Sequence, residues 1–125
     1  MGFATQICTT KEQSERLLAL GLKKETADMG LAGDIPIAIE DWKIQDTTLI
    51  NSPAWSLHRL LAMLTYQAIY NDTKYEPVIA LDGMAYQDVC TNDPAVGWSG
   101  DLYTDVIDCI EWLISQEQFN PDYLK

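Results

Sequence analysis

One histidine, His58, and three cysteines, Cys8, Cys90 and Cys109, are the chain's whole stock of soft metal ligands and ready nucleophiles. A two-histidine zinc motif, or a triad that needs a second imidazole, cannot be assembled from them. The cysteines are odd in number, form no CxxC pair and read as reduced structural thiols. Cys109 falls on an apolar helical face, where a free thiol behaves as a small hydrophobe. His58 sits two residues before Leu60 in a helical pattern and reads as structural or partly exposed. Neither GxxxxGK[ST] nor GxGxxG occurs, so neither common phosphate cradle is present. Around Asp93, Gly97 and Gly100 the ligand spacing of a calcium loop is missing. These residues therefore predict no catalytic group, no metal site and no cofactor.

Carboxylates are the abundant chemistry. From Glu76 to Leu124 there is no lysine or arginine, while ten acidic side chains occur. The first 75 residues are nearly balanced, so almost all of the formal −11 lies in one contiguous half. Such a half projects a negative field that salt screens beyond roughly 8 Å. It repels phosphate backbones and argues against DNA or RNA as a partner. General acid–base catalysis would need one carboxyl with a raised pKa beside one that stays ionised, and spacing alone identifies no such pair. The most specific pattern lies near the C-terminus. On a helical projection Asp101, Asp105, Asp108 and Trp112 fall within about 60° of arc, opposite an apolar face of Leu102, Val106, Cys109, Ile110 and Leu113. An apolar plate ringed by carboxylates is a candidate anchor for a basic protein, since tryptophan inside a charged rim is typical of binding hot spots.

The elements that must position these residues are partly punctuated. Thr9 and Glu12 have capping-box spacing, and Gly21 followed by Leu22 suits a left-handed helix stop, which predicts a helix over 10–20. Between Lys23 and Asn51, Gly30, Gly33 and Pro36 break the pattern. Ile35, Ile37 and Ile39 alternate as a short strand would, and Pro36 places that strand at an edge. Ser52-Pro53 reads as a helix start, and Leu57, Leu60, Leu61, Leu64 and Ala68 continue one stripe, which predicts a helix over 53–69. Its other face gathers Trp55, Arg59, Ala62 and Tyr66, so both faces need cover, from the same domain or from a second copy of the chain. Tyr70 to Thr73 is a turn. Val78 to Leu81, then Asp82-Gly83 and Met84 to Cys90, predict a hairpin over 75–90. The last helix is expected over 102–116, stopped by Asn120-Pro121. Together these give an α+β fold: about three helices on a small antiparallel sheet, in a single domain over 1–125.

Ser52-Pro53-Ala54-Trp55-Ser56-Leu57 with Leu60, Leu61 and Leu64, and the run from Asp105 to Ile114, resemble a group of small uncharacterised proteins. These belong to Bacteroides-type gut bacteria and their phages or mobile elements. The matching segments cover about a quarter of the chain. The resemblance implies a phage-related cytoplasmic protein and brings no catalytic residues with it. No apolar run reaches the roughly 18–20 residues that span a bilayer, and the N-terminus lacks a secretory pattern, so a cytoplasmic location without membrane contact is expected.

Three functions follow as expectations. The leading one is a non-enzymatic interaction protein that presents Trp112, Asp101, Asp105 and Asp108 to a basic partner and self-associates through Trp55, Arg59 and Tyr66. The second is a small-ligand protein or enzyme with a pocket near Tyr66, Tyr70, Tyr86 and His58. A third is an acidic decoy that mimics nucleic acid, although three carboxylates along two helical turns fall short of one charge per ~1.7 Å of DNA axis.

Overall fold

The computed structural model describes residues 6–39, 50 and 52–125. In chain order the elements are α1 (Lys11–Ala19), β1 (Met29–Ala32), β2 (Ile35–Ala38), β3 (Ser52–Ala54), α2 (Leu57–Ala62), β4 (Ala68–Tyr70), β5 (Thr73–Ala80), β6 (Gly83–Asp88), β7 (Pro94–Gly97) and α3 (Leu102–Ser115). The strands form two antiparallel sheets, ordered β2-β1-β3 and β4-β5-β6-β7. This is an α+β fold, and its chain divides into two compact units. One runs to Ala62 and adds Asp122–Lys125, and the other spans Met63–Pro121. Residues 40–49 and 51, part of the stretch that the sequence leaves unassigned, lie outside the described residues.

In the first unit two adjacent threonines divide the work. Thr10, not Thr9, caps α1: its Oγ1 accepts from the Gln13 amide at 3.2 Å, and its own N–H donates to Gln13 Oε1 at 3.0 Å. The capping box thus falls one residue later than the Thr9–Glu12 reading. Thr9 is needed inside, where its Oγ1 accepts from the Trp55 amide at 3.0 Å and meets Ser14 Oγ at 2.8 Å. The Thr9 N–H also donates to the Trp55 carbonyl at 2.9 Å. At the far end Gly21 takes φ +106. Its N–H reaches the Leu18 carbonyl and the Leu22 N–H reaches the Leu17 carbonyl, a Schellman stop that only a left-handed residue completes without strain.

Ser52-Pro53 does not start a helix. Ser52–Ala54 pairs with Leu31–Met29 as an edge strand, and the expected helix over 53–69 shortens to Leu57–Ala62. Ser56 starts it instead, with its Oγ accepting from the Arg59 amide while the Asp28 carboxylate holds both the Ser56 N–H and hydroxyl. Both outer strands of this sheet carry a proline, Pro36 in β2 and Pro53 in β3, where a missing N–H leaves no ladder bond unmade. β2 therefore stands at an edge, as Pro36 predicted.

In the second unit the apolar stripe of the expected helix yields to hairpin chemistry. Asn71 and Asp72 both hold positive φ, 51° and 61°, the geometry of a type I′ turn, and so draw Ala68–Tyr70 into pairing with Tyr75–Thr73. The 75–90 hairpin is present as β5 and β6. Its turn is Leu81-Asp82, one residue earlier than Asp82-Gly83, because Ala80 pairs with Gly83. A Cβ at Gly83 would lie 2.6 Å from an Asp105 carboxylate oxygen, so glycine is needed there for close approach. The final helix, expected over 102–116, runs Leu102–Ser115, capped by Asp101 Oδ2 on the Thr104 amide at 3.1 Å. It packs on β6 and β7.

Replacing Thr9 by valine keeps the shape and leaves the Trp55 amide and the Ser14 hydroxyl without their partner. Chemical denaturation should show a loss of about 2–4 kcal/mol, against about 1 kcal/mol for Thr10→Val, which removes only an exposed cap. Equal losses at the two positions would refute this division of roles.

Candidate functional site

The acidic stripe of α3 does not face solvent as a unit. Asp105 is fully buried. Its two oxygens accept from the Met84 amide at 3.1 Å and the Ser99 amide at 2.8 Å, which ties the start of β6 to the loop before α3. Trp112 is half-buried and lies among three tyrosines. Its ring centroid is 5.6 Å from those of Tyr75 and Tyr86 and 6.3 Å from that of Tyr70. Asp105 and Trp112, read as outward, thus belong to the surface of α3 that meets the sheet. Trp98 lies against Gly83, and does so at φ +58, an unfavourable region for a non-glycine residue. Asp101 is exposed and capping, and Asp108 is half-buried.

The second predicted cluster draws its residues from both units, Trp55 and Arg59 from the first and Tyr66 from the second. Trp55 is fully buried in the first unit, and its Nε1 donates to Thr26 Oγ1 at 2.9 Å. Arg59 donates through Nε to the Thr26 carbonyl at 2.6 Å and lies 5.9 Å from the centroid of the Tyr123 ring. Tyr66 belongs to the second unit and is 83% exposed. A ligand pocket at Tyr66, Tyr70 and Tyr86 also lacks shape. Tyr86 is fully buried, with its hydroxyl on the Thr65 carbonyl at 2.7 Å, and Tyr70 packs on Tyr75 and Trp112.

Among the described residues the surface cavities include the following three. One of about 250 Å³ lies beside Cys8, Leu31 and Pro36, and one of about 410 Å³ lies between Asp72, Lys74, Asp88 and Cys90. The third, about 280 Å³, is a groove between β7 and α3. Its lining is Ala95 and Val96 from the strand and Asp108, Glu111, Trp112 and Ser115 from the helix. Those four helical residues stand at i, i+3, i+4 and i+7, one face of α3. This groove keeps Trp112 and Asp108 together and adds Glu111, Ser115 and Val96, which the sequence reading missed. The signal was present in the i, i+3, i+4, i+7 spacing, but it needed the partner strand to become a groove.

The two buried thiols are poor nucleophiles. Burial pushes Cys109 up to about 12, with Asp105 and then Asp108 adding to the rise, and burial also raises Cys8, with Asp28 contributing. Tyr86 is raised to about 12 by burial as well. Among the described residues no three His, Cys, Asp or Glu side chains converge in a way that could hold a metal ion. No helix of the described residues is long and apolar enough to cross a membrane. Comparison with family models, curated proteins and solved structures gave no match.

Two outcomes follow. Asp105→Asn should destabilise the protein by about 1–3 kcal/mol, because an amide nitrogen must then face one of two backbone donors, and a denaturant midpoint unchanged from wild type would contradict the assignment. Cys109 and Tyr86 both lose protons more readily in the unfolded chain, so their contribution is complete below about pH 9 and drains away as pH rises towards about 12. Stability measured across that window should fall, and less steeply for Cys109→Ala than for wild type.

Proposed function

We infer that the protein is a non-enzymatic interaction module that binds a protein segment carrying basic side chains. The observation that supports this reading is the groove between β7 and α3: an indole floor beside two carboxylates, in a half of the chain with no lysine or arginine between Glu76 and Leu124. A lysine or arginine over the Trp112 ring gains roughly 0.5–2 kcal/mol, more where water is displaced. At about 280 Å³ the groove lies at the floor of the roughly 300–1,000 Å³ range that takes a small-molecule ligand, which favours a side chain over a metabolite.

The decoy reading draws less support, because Asp105 points inward and the carboxylate row is broken. Self-association through Trp55 draws none, since that ring is enclosed with its N–H already bonded. A cytoplasmic accessory role in a phage or mobile element, as the sequence resemblance implies, suits a small protein whose surface chemistry is directed at another protein.

Selection of a random peptide library on the immobilised chain tests the reading. Enrichment should favour arginine- and lysine-containing peptides, weaken as salt rises, and vanish on a chain carrying Asp108→Asn and Glu111→Gln. Enrichment without basic residues, or enrichment indifferent to the double substitution, would sink it.

A further inference from the structure

We propose that β4 is a latent pairing edge for a second copy of the chain, and that the Gln118 side chain guards it. This goes beyond the basic-partner reading and does not depend on the groove.

The hairpin of β4 and β5 fixes the direction of the backbone groups. Asn71-Asp72 is a two-residue type I′ turn, so the closing pair, Tyr70 and Thr73, exchanges its bonds across the hairpin. Ile69 and Lys74 form the next pair, a non-bonded one, and the Ile69 N–H and C=O are directed to the open side. One side chain takes both groups. The Ile69 N–H donates to Gln118 Oε1 at 2.6 Å, and Gln118 Nε2 donates to the Ile69 carbonyl at 2.6 Å. A side-chain amide thus supplies the acceptor and the donor that a residue of a further antiparallel strand would supply.

Glutamine at this position is not what the helix stop requires. α1 and α3 end with the same two backbone bonds: Gly21 to Leu18 and Leu22 to Leu17 in one, Glu117 to Ile114 and Gln118 to Leu113 in the other. The second residue of such a stop frequently makes an apolar contact back on the helix, and Leu22 is fully buried. In α3 that place holds an amide bonded to the sheet edge instead. The left-handed place before it, a glycine in α1, is Glu117 at φ +57. Neither departure improves the stop, and together they bring an amide to Ile69.

Without its guard this edge is self-complementary. Ile69 presents one donor and one acceptor side by side, so a bonded pair can form across a two-fold axis, each N–H reaching the same residue's carbonyl on the second copy. Tyr66, Ile69 and Tyr70, 83%, 54% and 40% exposed, supply apolar surface for such a contact to bury. The outer strands of the first sheet carry Pro36 and Pro53, whereas β4 contains no proline. Its edge is closed by a contact, and a contact can be broken. Two acidic halves repel each other, so added salt favours this pairing.

Sedimentation equilibrium of the intact chain over a dilution series reads the outcome. Wild type should stay at the 14.1 kDa of one chain. Gln118→Ala removes the guard and leaves the backbone bonds of the helix stop in place. Its mass should rise towards twice that value, with a Kd on the order of 0.1–1 mM that tightens as salt is added. Gln118→Met keeps the side-chain length, loses the amide and should do the same. Adding Ile69→Pro to either variant gives β4 the residue that both outer strands of the first sheet carry, and should return the mass to one chain. Variants that stay monomeric, that dimerise equally with Ile69→Pro, or that associate no more than wild type would overturn the proposal. Loss of folded circular dichroism in both Gln118 variants would overturn it too, because Gln118 would then hold the fold rather than an edge. Salt separates this pairing from binding of a basic segment, which salt weakens.

Discussion

A buried carboxylate in a region without cations has only backbone amides to satisfy it, and the second unit is organised by that restriction. Asp105 is fully enclosed, and between Glu76 and Leu124 there is no lysine or arginine to pair with it. Charge-assisted bonds from two amides supply the compensation that a guanidinium gives elsewhere. Satisfying Asp105 fixes where β6 begins, because Met84 must offer its N–H. It also fixes the loop, because Ser99 must offer another. Gly83 is held to a bare Cα by the same oxygen, and Trp98 takes up its left-handed backbone within the loop that the bond secures. Asp101 and Asp88 repeat the device at the surface, on the amides of Thr104 and Cys90. The base-free half is therefore knitted by its own main chain, which leaves its remaining negative charge uncompensated by any cation of that half.

Much of the fold could be read from local chemistry. Gly21-Leu22, Asn71-Asp72 and Asp101 each demand one backbone geometry, and each adopts it. Pro36 announced an edge for the same reason. The long helix over 53–69 failed because its evidence was periodic rather than local. Leu57, Leu60 and Leu61 fit the stripe, but the neighbouring claims of β1 on Ser52–Ala54 and of the type I′ turn on Ala68–Tyr70 are long-range or conformationally stricter. Propensity for a helix is worth tenths of a kcal/mol per residue and gives way to such pairing. The capping box slipped by one residue at Thr9-Thr10 because a hydroxyl was needed inside, which no local pattern reveals.

The candidate site was half legible for a related reason. A helical projection weighs hydrophobicity, so it assigned Leu102, Val106, Cys109, Ile110 and Leu113 to the interior and Trp112 with the aspartates to the exterior. Val106, Cys109, Ile110 and Leu113 are buried as that reading had it. The projection has no means of knowing that a second surface of α3 lies on a sheet. Tyr70, Tyr75 and Tyr86 come from three different strands, and only the pairing of those strands assembles them around Trp112. What survives of the acidic anchor is narrower and better defined: about two turns of α3, beside one strand.

The sheet edges give that site its meaning. Pro36 and Pro53 blunt the outer strands of the first sheet, and Gln118 occupies β4 of the second. The last of these depends on a costly turn, since Glu117 holds φ +57 so that Gln118 can follow the end of α3 back to the strand. A left-handed non-glycine residue costs roughly 1–2 kcal/mol, and here it lies beside the negative end of a helix that has no base in its last turn. Closing β4 is thus sustained against both backbone strain and electrostatics. β7 is made irregular by other means: its register with β6 shifts at Ala95, and Gly97 at its end stands at φ +113. Asp108, Glu111 and Ser115 line the groove between that strand and α3. Asp108 and Glu111 thus stand beside an indole and two small or branched apolar residues of the strand, in a half of the chain with no lysine or arginine between Glu76 and Leu124.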